Sequence, residues 1–179
     1  MKQLKAGDPA PNFQIKDIDN NPIALDQYKG RKVMLSFYRY ASCPLCNLRI
    51  NDLNNRVDEW KEKGLDTIAV FQSPSESIKK HAGKSSRATS FPIIPDNEQK
   101  LYKMYGVSGD WVKFLKGMKP SKIVAATAKG FLPGKIENDM NMIPADFLID
   151  ENGMLNTVYY GKDSADHLDL QIIDRFVNN

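Results

Sequence analysis

The chain holds two cysteines, and they stand three apart in the run Cys43-Pro44-Leu45-Cys46. The run follows a near-continuous apolar segment, Val33 to Tyr38, and opens a stretch with helical periodicity. A helix N-terminus offers unpaired N–H groups and partial positive charge, which favour thiolate over thiol. The thiolate is the nucleophile towards peroxides and disulfides, and a second thiol one turn away closes a disulfide with little rearrangement. Pro44 suits the first helical turn, where its missing N–H would have no partner. The alternative is a pair of reduced core cysteines, since free Cys is often buried. The strand–loop–helix setting favours redox chemistry. A structural zinc would need four ligands, and His81 and His167, the only histidines, lie far off in sequence. No metal or other cofactor is expected, and both histidines read as surface residues. Arg39 lies in the loop before the thiols, and Arg49 follows Cys46 by three residues on the same side of a helix. Either can stabilise a thiolate or polarise a peroxide oxygen.

The elements that must position this pair can be read from periodicity. Phe13 to Ile18 alternates as a strand, a turn follows at Asp19 to Pro22, and Ile23 to Leu25 pairs back as a hairpin. Val33 to Tyr38 and Leu65 to Phe71 are apolar enough for strands buried on both faces, as in a parallel sheet. Between them one helix is expected from Pro44 to Gly64, with a stripe at Leu48, Leu53, Val57 and Trp60. Further helices are expected at Glu76 to Ala82, Asn97 to Tyr105 and Asp169 to Val177. Ala145 to Asp150, the turn Glu151-Asn152-Gly153 and Met154 to Tyr160 read as a late hairpin. Ile143-Pro144 before it is either a strand starter or a cis peptide.

The chain's 179 residues suggest one domain, 1–179, able to fold without staples. A net charge of +3 is too mild to indicate nucleic acid. No apolar run reaches membrane-spanning length, and Met1 to Phe13 lacks the apolar stretch of a signal peptide. A cytoplasmic location is the default expectation. Residues from about 107 to 142 break the rhythm and read as an insertion with one or two amphipathic helices. They interleave Trp111, Phe114, Leu115 and Met118 with Lys113, Lys116, Lys119, Lys122, Lys129 and Lys135. The expectation is a helix whose apolar face packs on the domain with solvated lysines outside, without membrane contact. A lid or docking surface is the functional alternative.

Three segments in order resemble the alkyl hydroperoxide reductase/thiol-specific antioxidant redoxins. The opening Gly7-Asp8-Pro9-Ala10-Pro11-Asn12-Phe13 is similar to that family's G-D-x-A-P-x-F. Leu35 to Tyr38 with the cysteine motif follows, and the stretch from Ile143 to Gly153 is similar to its P-x-x-F-L-I-D-x-x-G hairpin. Ser36 to Ile50 looks most like the peroxiredoxin-like branch. The resemblance implies an α/β thioredoxin-like fold: a central mixed sheet flanked by helices, an N-terminal hairpin extension, and a helical insertion before the last hairpin. Laid on the family's P-x-x-x-T-x-x-C, Arg39 takes the proline position, Cys43 the threonine position and Cys46 that of the attacking cysteine. Pro144 replaces the arginine that peroxiredoxins place before the late strand. Thioredoxins carry a carboxylate near the end of the central strand, where this chain has Ser36.

The implied activity is thiol-dependent oxidoreduction. In one version Cys46 attacks a hydroperoxide and Cys43 resolves the sulfenate. In the other, Cys43 attacks a disulfide and Cys46 resolves. Arg39 assists at the thiols, while Tyr40, Arg49 and Pro144 are expected to meet substrate. A thioredoxin-like or small-thiol reductant would reset the pair, and a homodimer is left open. A non-enzymatic binding module on the same fold is the other class of reading.

Overall fold

The computed structural model describes residues 2–81, 90–117, 120–132 and 134–179, excepting the side chains of 120, 122 and 123. Met118 and Lys119 of the expected amphipathic segment lie outside the described residues, as does Ala82 of the helix expected at Glu76 to Ala82. A small antiparallel hairpin, β1 (Gln14–Lys16) and β2 (Pro22–Ala24), precedes the main sheet. That sheet has five strands in the order β5-β4-β3-β6-β7. They are β3 (Lys32–Phe37), β4 (Leu65–Phe71), β5 (Ile93–Pro95), β6 (Ala145–Ile149) and β7 (Leu155–Tyr160). Strands β3, β4 and β5 run parallel, while β6 is antiparallel to both β3 and β7. Parallel strands followed by an antiparallel hairpin is the order the apolar runs imply, and a mixed sheet flanked by helices is the thioredoxin-like fold.

The strand pleat sends alternate side chains to two cores. Met34 and Tyr38 face a cluster built with Ile50 and Leu53 of α1 (Pro44–Asn54), Trp60 of α2 (Val57–Glu62), and Ile173 and Phe176 of α7 (Leu170–Asn178). Val33, Leu35 and Phe37 face the other, with Phe147, Phe13 and Tyr102 of α4 (Lys100–Met104). The short helix α3 (Ser75–His81) follows β4 and buries Ile78. Helix α7 starts where Asp169 accepts a hydrogen bond from the Gln171 N–H at 2.8 Å. A side-chain oxygen there satisfies one of the orphan donors of the first turn.

The single helix expected over 44–64 is two. It breaks at Asn55-Arg56, after two asparagines of weak helix propensity. The buried stripe is Cys46, Ile50, Leu53, Val57 and Trp60, at helical spacings of four and three, and Leu48 is half-exposed. A step of five from Leu48 to Leu53 does not stay on one helix face.

The insertion closes at its base. Gly109 bridges Met142, and the Asp110 N–H donates to Asn141 O at 2.9 Å. Within it lie α5 (Trp111–Gly117) and α6 (Pro120–Ala128). The expected inward apolar face is only partly formed. Phe114 is buried, but Trp111, Val112 and Leu115 are 55%, 64% and 65% exposed. Among the described residues no helix is long and apolar enough to cross a membrane.

Candidate active site

Strand β3 delivers the chain into the interior, and residues 38–42 turn it into α1. Every residue from Tyr38 to Cys43 is buried. The turn is held by Asn47 Nδ2 donating to Ala41 O at 2.9 Å and by the Ala41 N–H donating to Ser73 Oγ at 2.9 Å. Cys43 is the N-cap of α1, extended at φ −71° and ψ 117°, with Pro44 in the first turn. Its sulfur therefore sits at the positive end of the helix, one turn from Cys46. Both thiols are free and buried, at 1% and 2% exposure.

Arg39 is buried too, at 3% exposure. Its Nη1 donates to Cys43 Sγ at 3.4 Å, and its Nη2 donates to the Met140 carbonyl at 2.6 Å. The guanidinium lies 5.0 Å from the Tyr40 ring centre and 4.8 Å from that of Phe114. Two aromatic faces thus support a cation that has left water.

The two thiols divide their charge. Burial pushes Cys43 up, but the hydrogen bond from Cys46, the Arg39 cation and the N–H groups of Cys46 and Leu45 outweigh it and bring it to about 6. Cys46 is held well above the ordinary thiol range by burial, by its hydrogen bond to Cys43 and by the negative charge on that neighbour. The charge distribution thus favours the thiolate on Cys43, with Cys46 as the thiol that donates to it. Tyr40 stays a neutral phenol, raised to about 12 by burial and by Cys43.

A strap from the insertion covers this loop. Ser42 Oγ donates to Lys135 O at 2.6 Å, Gln72 Nε2 to Asp139 O at 2.7 Å, and Asn138 Nδ2 back to Gln72 O at 2.7 Å. Gly134 packs so closely that a Cβ there would lie 2.9 Å from Ser42 Cβ. With the Arg39–Met140 bond, these contacts lay residues 134–140 over residues 39–42.

The structure brings Cys43, Cys46, Arg39 and Tyr40 together. Arg49 is not joined to the sulfurs: its Nη2 donates to Leu168 O at 2.7 Å, and its charge acts on Tyr38 and Asp146. Pro144 precedes β6, one step beyond the Phe37–Ala145 pair, and its carbonyl accepts from the Gly161 N–H at 2.9 Å. The described residues contain no cis peptide, so Pro144 is trans and starts the strand.

Sequence reasoning missed a second polar cluster. Asp146, fully buried in β6, pairs in register with Ser36 of β3 and accepts a hydrogen bond from its hydroxyl. It also accepts from the Leu168 N–H at 2.7 Å and meets His167 Nδ1 at 3.1 Å. Burial would raise this carboxyl, but His167, Arg49 and Ser36 bring it down to about 2. The His167 side chain is 7% exposed, which corrects its reading as a surface residue. The carboxylate absent from β3 is thus supplied by the neighbouring strand. The signal was Asp146 itself, an acid inside the apolar run Ala145 to Ile149. The His167 ring lies 5.0 Å from the Tyr38 ring, which stacks on Phe71 at 4.9 Å. This cluster therefore lies beneath the thiol loop.

Residues 6–158 match the sequence profile of the AhpC/TSA family. Peroxiredoxin Bcp of Escherichia coli (strain K12) is 27% identical over 170 residues, covering 95% of this chain and 94% of its own length. Peroxiredoxin Q, chloroplastic, of Sedum lineare is 24% identical over 157 residues, covering 88% of this chain and 69% of its own. Among solved structures, the reduced 2-Cys peroxiredoxin of Plasmodium vivax superposes with a TM-score of 0.66 at 17% identity. That match covers 97% of this chain and 80% of the other.

Proposed function

This chain belongs to the AhpC/TSA family, and from that premise we propose that it is a thiol peroxidase working through Cys43 and Cys46. It is an oxidoreductase whose substrate is a hydroperoxide. The observation that carries the assignment of roles is the Arg39 guanidinium 3.4 Å from Cys43 Sγ at the start of α1.

The Cys43 thiolate attacks the terminal peroxide oxygen. The S–O bond forms as the O–O bond breaks, and the leaving alkoxide or hydroxide takes up a proton. Cys43 is oxidised to a sulfenic acid and the peroxide is reduced to an alcohol or water. Arg39 holds the anion before attack and lends positive charge to the departing oxygen. The Cys46 sulfur then displaces hydroxide from the Cys43 sulfur, closing a disulfide with release of water. A thioredoxin-type or small-thiol reductant supplies two electrons and two protons to restore the pair. The family frame gives the attack to Cys46; the charge distribution in this site supports Cys43 first. Since both sulfurs are buried, a protein reductant reaches them only when residues 134–140 lift from the loop.

The test is stopped-flow oxidation of the reduced chain by hydrogen peroxide, with products weighed by mass. The native chain loses two hydrogens and forms an intramolecular disulfide. Cys46→Ser keeps the fast first step and accumulates a trappable sulfenate on Cys43, whereas Cys43→Ser loses that step. A fast phase surviving in Cys43→Ser reverses the roles, and a native rate no better than a free thiol refutes peroxidase activity.

A further inference from the structure

We propose that the exposed face of α5, with the exposed apolar residues that follow it, docks on an anionic lipid surface. Helix α5 is pinned by its inner side. Phe114 is buried against the Arg39 guanidinium, and a Cβ on Gly117 would stand 2.5 Å from the Ser164 backbone nitrogen. With those two positions turned inward, Trp111, Val112 and Leu115 fall within about 100° of one another on the outer side. All three are more than half exposed. The same stretch of chain adds Val124, Leu132 and Ile136, exposed by 66%, 66% and 46%. Large apolar side chains left outside in this number mark an interaction site rather than ordinary surface.

Charge selects the occupant. From Trp111 to Ile136 the sequence carries six lysines and neither Asp nor Glu. A second copy of the chain meeting this face through a two-fold axis would bring lysines onto lysines, which is unfavourable. An acidic protein partner would seat its anchors in a concave pocket. Here Trp111, Val112 and Leu115 project from α5 with the exposed Lys116 beside them, while Lys113 turns inward to donate to the Gly161 carbonyl at 3.4 Å. Trp and aliphatic side chains entering the headgroup boundary, with lysines on the phosphates around them, need no pocket. This contact does not cross the membrane, and it replaces the expectation of an insertion packed wholly on the domain.

The chain carries its own probe. Of its two tryptophans, Trp60 is buried and Trp111 is exposed, so an emission change on binding reports Trp111. The full chain is mixed with vesicles of phosphatidylglycerol and phosphatidylcholine, or of phosphatidylcholine alone, then sedimented and its emission recorded. Binding to the anionic vesicles with a blue shift, lost as salt shortens the Debye length, is the expected result. The Val112→Ser/Leu115→Ser double variant should partition about tenfold or more weakly. Its turnover of hydrogen peroxide in solution should be unchanged, which separates this proposal from the assignment of the dithiol. Absent co-sedimentation, equal binding to neutral vesicles, or self-association through this face without vesicle binding would each overturn it.

Discussion

Arg39 joins the Cys43 sulfur to the Met140 carbonyl, one nitrogen on each, at 3.4 and 2.6 Å. The cation that stabilises the thiolate therefore also fastens the strap above it. Loss of the charge on one side loosens the other.

Arg39→Leu should raise the Cys43 titration from about 6 towards the ordinary thiol range near 8.5. In the native chain the oxidation rate should rise with pH through about 6 and flatten by neutrality. In the variant the rise moves up, and the rate at pH 7 falls by about tenfold or more as the thiolate fraction drops. Ultraviolet absorbance of the thiolate against pH measures the shift directly. An unchanged titration would mean that Cys46 and the helix N-terminus suffice.

Asp146→Asn removes a buried anion that His167 and Ser36 surround. Losing a buried acceptor that takes hydrogen bonds from Ser36 and the Leu168 N–H should cost about 1–3 kcal/mol, readable as a lower urea midpoint at neutral pH. The native pair has a pH signature as well. A carboxyl lowered to about 2 in the fold adds stability above its unfolded value near 3.9, and that stability is lost as pH falls towards 2. The native chain should lose about 2 kcal/mol through that window from this group. The variant should show a correspondingly shallower acid limb.

Gly134→Val places methyl groups where only 2.9 Å separates a Cβ from Ser42. The strap is displaced while the sheet is untouched. Labelling of the thiols by an aromatic disulfide reagent should quicken by about tenfold, at less than about 1 kcal/mol in global stability, because loop openings are local. Labelling at the native rate would show that access runs by another path.

Gly117→Ala forces a methyl group against the Ser164 backbone. Backbone cannot swing aside as a side chain can, so the expected loss is about 1–3 kcal/mol by thermal unfolding. A near-neutral result would show that α5 shifts outward freely.

Spacing and residue type alone carried the α/β order and the dithiol at a helix start. Each depends on neighbours in sequence: apolar runs for β3 and β4, Pro44 for the turn into α1. The break between α1 and α2 is local as well, but the single helix expected over 44–64 overlooked the two asparagines before Arg56. What the tertiary structure decided depends on groups far apart in the chain. Ser36 and Asp146 are 110 residues apart and adjacent only because β6 pairs with β3. His167 becomes a buried partner, Arg49 turns to Leu168, and the strap reaches the thiol loop for the same reason. A side chain's own periodicity states which face it takes. Which charge or hydrogen-bonding group waits on that face is set by strand register and by the packing of distant segments.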